Sequence, residues 1–101
     1  MERTTRKQIE GRLDTVARLM GRQREAWIKR EDGTYRANIG ALYLDHNTFY
    51  GGYVVEEIAT DGGGVRRPFG DGRLTAAEMW TALGMVADAL YMAGVGRTVA
   101  V

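Results

Sequence analysis

The densest concentration of chemically capable residues runs from Asp61 to Arg73: Asp61-Gly62-Gly63-Gly64-Val65-Arg66-Arg67-Pro68-Phe69-Gly70-Asp71-Gly72-Arg73. Glycines let backbone amides approach an anion closely, and arginines grip phosphate or carboxylate through two parallel bonds. Phe69 offers a flat face for stacking. Just upstream, Tyr50-Gly51-Gly52-Tyr53 places two amphipathic rings around a hinge. Together Tyr50, Tyr53, Arg66, Arg67, Phe69 and Arg73 suggest a binding surface for an anionic, nucleotide-like ligand. The pattern is not a Walker loop, because Gly-Lys-Thr is missing. Nor is it a dinucleotide fingerprint, since Leu74 and Thr75 stand where the last glycine belongs. The competing reading is a pair of tight turns whose arginines neutralise Glu56, Glu57, Asp61 and Asp71.

Other constellations are thinner. The single histidine, His46, lies between Asp45 and Asn47 among turn-forming residues. A general base oriented by Asp45 is hard to build, because adjacent residues on a strand or turn face different ways. Glu56 and Glu57 alternate across a strand, so only one can address a given site. A carboxylate-pair hydrolase joining one of them to Asp61 or Asp71 is therefore the weaker enzymatic alternative. The 101 residues include no Cys and no Ser. That composition excludes disulfides, thiolate nucleophiles, Cys-based metal sites and a Ser–His–Asp triad. One His leaves no His pair for a metal within one subunit. We expect a non-enzymatic protein with no catalytic residue, no metal and no cofactor.

The formal net charge is +1, unevenly spread. Residues 1–30 hold nine Lys/Arg and four acids, whereas residues 31–101 hold five Arg and nine acids. A basic N-terminal third makes a nucleic-acid-binding module the second functional reading. The interspersed acids equally suit a chain whose halves attract each other. No apolar run approaches the ~20 residues of a membrane span, and no apolar leader is visible. A cytoplasmic location without membrane contact is expected.

The elements that must position these residues are readable. Thr5 with Gln8 makes a capping box. Ile9, Leu13, Val16, Ala17 and Met20 follow as one helical stripe, predicting a helix over about 5–21 ended by Gly21. From Trp27 the period becomes that of strands, with turns at Glu31-Asp32-Gly33, Asp45–Thr48 and Asp61–Gly64. Gly40 marks a bulge or bend, a strand is expected over about 52–59, and Val65–Arg67 makes a short one. Thr75 with Glu78 caps a second helix over about 75–93, whose core stripe is Met79, Leu83, Val86, Ala87 and Leu90. One domain results, with an α+β fold: helix, antiparallel meander of three or four strands, and a C-terminal helix packed on one face. Residues 95–101 form a short β-prone tail.

The second helix has more apolar surface than one small sheet can cover. Trp80 and Tyr91 flank the core stripe on one side, and Met85 and Met92 lie on the side of Glu78 and Asp88. We therefore assign Trp80, Met85, Tyr91 and Met92 to an oligomer interface, most simply a homodimer.

The order of features resembles that of short phage and prophage proteins of uncharacterised function. It is carried by Gln8, Ile9, Arg12 and Leu13; Asp32-Gly33-Thr34-Tyr35; Asn38-Ile39-Gly40; Leu44-Asp45; Tyr50-Gly51-Gly52-Tyr53; Gly62-Gly63-Gly64-Val65; and Glu78-Met79-Trp80, spanning about residues 4–90. The resemblance implies a phage-encoded accessory protein that occupies or sequesters a host partner or a nucleotide signal, with an anti-defence role. It supplies no catalytic residues.

Overall fold

A computed structural model describes residues 3–46, 49 and 51–94. Seven elements follow in order: α1 (Arg6–Met20), β1 (Trp27–Lys29), β2 (Tyr35–Ala37), β3 (Leu42–His46), β4 (Tyr53–Ile58), β5 (Val65–Arg66) and α2 (Ala76–Met92). The fold is α+β, as the periodicity predicts. The strands divide into a β1–β2 hairpin and an antiparallel sheet of order β3-β4-β5. The division falls at Gly40, whose φ of 93° breaks the extended run between β2 and β3. That left-handed conformation suits glycine, and a side chain there would also overlap the Arg22 guanidinium.

Both helices start at the capping boxes read from sequence. The Thr5 amide donates to Gln8 Oε1 at 2.8 Å and the Gln8 amide to Thr5 Oγ1 at 3.3 Å. The Thr75–Glu78 pair repeats this at 2.9 and 3.2 Å. Each box satisfies two of the orphan amides of a first helical turn. Bonds from the Thr75 amide and hydroxyl hold the Glu78 carboxyl below its ordinary pKa. Gly21, at φ 70°, ends α1 in the left-handed conformation.

The stripes meet as expected. Ile9, Leu13, Val16 and Ala17 of α1 pack with Met79 and Leu83 of α2 over Leu42, Leu44 and Val55 of the sheet. Full burial of residues such as Leu13 and Leu83 contributes about 2 kcal/mol each. Strand β4 is buried on both faces, from Val54 to Ile58. Its helix-facing side carries Tyr53, Val55 and Glu57, and its outer side Val54, Glu56 and Ile58. Among the described residues no second helical layer covers the outer side. Ala37, Ala41, Ala26 and Tyr43 pack around Ile58 at one end, and the segment after β5 closes the other.

One arginine ties the layers together. Arg24 donates to the Leu42 carbonyl at 2.9 Å and the Glu10 carbonyl at 3.3 Å, and pairs with the Glu10 and Asp14 carboxylates of α1.

Candidate functional site

The glycine–arginine segment is built by an interruption of the β4 edge. Val65 and Arg66 pair with Ile58 and Glu57, and the ladder resumes only where Leu74 bridges Tyr53. An unbroken antiparallel register would bring residue 70 opposite Tyr53, so four extra residues loop out. Both Tyr53–Leu74 backbone bonds are short, 2.7 and 2.9 Å. The excursion from Arg67 to Arg73 folds across the outer face of the sheet.

The arginines are committed there to carboxylates. Arg67 Nε lies 3.4 Å from Glu56 Oε2, and Arg73 Nη2 lies 2.6 Å from Asp45 Oδ2. Arg73 also donates to the Gly52 carbonyl at 3.4 Å. Arg66, directly opposite Glu57 in the ladder, pairs with it at 2.9 Å on the helix-facing side, where Arg22 approaches the same carboxylate at 4.0 Å. Glu56 and Glu57 are both buried. Buried carboxylates need such partners, because an unpaired charge out of water costs several kcal/mol. Burial and the hydrogen bond to Glu56 push the Tyr43 hydroxyl up to about 12.

The six residues of the expected ligand surface therefore do not share one face. Tyr53 and Arg66 lie on the helix side of the sheet, whereas Arg67 and Arg73 close the outer side. Phe69 sits half-exposed in the excursion between them. Tyr50 lies outside the described residues. An anion bound here would compete with Glu56, Glu57 and Asp45 for the same guanidinium groups.

His46 and Asp45 point to opposite faces of β3. Asp45 holds Arg73, and the His46 ring stacks on Tyr53 across the strand pair, with centroids 4.3 Å apart and planes 12° from parallel. Among the described residues no group of three or more His, Asp or Glu side chains is placed to hold a metal ion.

The basic N-terminal third is dispersed rather than gathered. Arg6 and Arg24 pair with Glu10, Arg22 approaches Glu57, and Lys29 and Arg30 lie on the hairpin side. Arg12 is different. Its guanidinium stacks over the Trp80 ring at 3.3 Å from the centroid, and Nη1 donates to the Trp80 carbonyl at 2.8 Å. Among the described residues it has no carboxylate partner. Gly84, in the interior of α2, leaves the room it occupies, because a side chain there would overlap it. The arrangement escapes sequence reading. Its one local signal is a glycine in the interior of a helix, where glycine is disfavoured.

The four residues assigned to an interface separate into two groups. Trp80 lies under Arg12 at the seam with α1, and Tyr91 follows on that flank of the helix. Met85 and Met92 stand outward, 68% and 87% exposed. Thr81 and Met85 form a ridge between two grooves. One, of about 410 Å³, is lined by Arg12, Thr15, Trp80, Gly84 and Asp88 together with the ridge. The other, of about 400 Å³, is lined by Leu74, Ala77, Glu78 and Ala82 together with the ridge. The only charges α2 itself contributes are Glu78 and Asp88.

Comparison with protein-family models, with curated proteins and with solved structures finds no match. No helix among the described residues is long and apolar enough to cross a membrane.

Proposed function

We propose that this chain is a non-enzymatic binding protein and that the outward face of α2 is its protein-docking surface. One observation carries the reading: Met85 and Met92 stand exposed on a helix face bearing two acids, and a shallow, open groove lies on each side of the Thr81–Met85 ridge. Flexible, polarizable methionines suit a surface that must fit a partner. A helix face with exposed methionines and only two charges left in water is the usual mark of an interaction site.

The loop arginines support this reading indirectly. Arg66, Arg67 and Arg73 are occupied in closing the sheet, so an anionic nucleotide would have to displace carboxylates, whereas α2 offers an open surface. The accessory role expected from the phage-like order of features belongs to the same class of activity, in which a partner is occupied and not transformed.

The test is photo-cross-linking in cells. A photoreactive residue at Met85 is expected to capture a protein, while the same residue at exposed Arg36 on the hairpin captures none. Absence of any adduct from position 85 would remove α2 as the docking surface.

A further inference from the structure

We infer that the partner of this face is a second copy of the chain, paired antiparallel about a two-fold axis that crosses the middle of α2; this rests on the docking surface proposed above. The argument starts from the ridge. Glu78, Thr81, Ala82 and Met85 occupy positions i, i+3, i+4 and i+7 of one helix. These are the four corners of a hole that accepts a side chain from a facing helix. In this chain the hole opens into the groove lined by Leu74, Ala77, Glu78, Thr81, Ala82 and Met85. Met85, 68% exposed at its rim, is the matching knob. Knob and hole lie within one helical turn of each other, close to the centre of α2. A two-fold axis between them therefore seats each Met85 in the other copy's hole with a single rotation.

Charge points to the same axis. Arg12 and Asp88 line the other groove, and neither has an ion-pair partner among the described residues. Arg12 lies level with Trp80 and Gly84, on the flank of the ridge that also carries Asp88. An antiparallel two-fold keeps that flank in register and reverses the helix direction. It thereby brings Arg12 toward the partner's Asp88 and Asp88 toward the partner's Arg12. Glu78 makes no such demand, because its carboxylate is bonded to the Thr75 amide. The apolar contact would supply affinity, and the paired charges the orientation.

Light scattering on the purified chain tests the inference. At 100 µM the expected mass is twice the 11.2 kDa of the single chain. Met85→Glu is expected to give the single-chain mass with circular dichroism unchanged. Asp88→Arg should weaken association at least ten-fold, and Asp88→Asn by a smaller factor, since it removes the attraction without adding a repulsion. A single-chain mass for the wild type overturns self-pairing, as does a doubled mass that Met85→Glu leaves intact. A doubled mass that Asp88→Arg leaves intact overturns the antiparallel arrangement. If the wild type is single while position 85 still cross-links to a different protein, the docking surface stands and the second copy does not. If position 85 captures nothing, the surface itself fails.

Discussion

The Arg12 guanidinium lies in the space that a side chain at Gly84 would fill. Glycine inside a helix costs about 1 kcal/mol relative to alanine. Here that cost is offset by the stack on Trp80 and the bond to its carbonyl. Arg12→Ala is expected to lose about 1–2 kcal/mol in urea denaturation, the sum of a cation–π contact and a charged hydrogen bond. Gly84→Ala in the native background gains helix propensity but evicts Arg12, so its effect stays within about 1 kcal/mol of zero. In the Arg12→Ala background the same change should stabilise by up to about 1 kcal/mol. A double-mutant cycle showing no coupling between the two positions would refute this account.

Arg24 is the most heavily bonded cation of the chain's basic third. Its side chain is 23% exposed and joins Glu10 and Asp14 on α1 to the Leu42 carbonyl at the start of β3. Arg24→Ala removes a charge-assisted network and strands a carbonyl, at an expected cost of about 2–3 kcal/mol. Arg24→Lys should recover less than half, because a point charge cannot span both carboxylates and the carbonyl. Equal stability of the Lys variant and the native chain would show that charge alone matters.

Tyr43 gives the fold a sensitivity to alkali. Burial and Glu56 raise its pKa to about 12, against 10 for the free group, so the folded chain holds this proton more tightly than the unfolded one. The resulting stability is fully present below pH 10 and is lost as pH rises through 12. The loss is on the order of 1 kcal/mol, since solvent reaches part of the ring and screens the interaction. Tyr43→Phe should flatten the decline in stability between pH 10 and 12. A native chain and a Phe variant with parallel pH profiles would contradict this placement of the hydroxyl.

Local structure was readable because its causes are local. Thr5 with Gln8 and Thr75 with Glu78 start their helices through bonds three residues long. Gly21 ends the first through its own φ. The stripes Ile9–Leu13–Val16 and Met79–Leu83 follow from periodicity, and their burial settles the α+β class. The break at Gly40 was also visible as a bend, but its consequence was not. Whether a meander stays one sheet or becomes a hairpin and a separate three-stranded sheet depends on which strands find a helix to pack against.

The arginines show the limit most clearly. Residue types at 66, 67 and 73 are equally those of a phosphate grip and of a charge-neutralised turn. The choice depends on what lies across the strand: Glu57 opposite Arg66, and Glu56 and Asp45 on the outer face. Register places those carboxylates, and the four-residue excursion before Leu74 delivers the arginines to them. The meeting of Arg12 with Gly84 and Trp80 is still less accessible, because it joins residues 68 or more positions apart. A linear pattern specifies which face of a helix is apolar. Only the packing of α1 against α2 decides which part of that face remains for a partner.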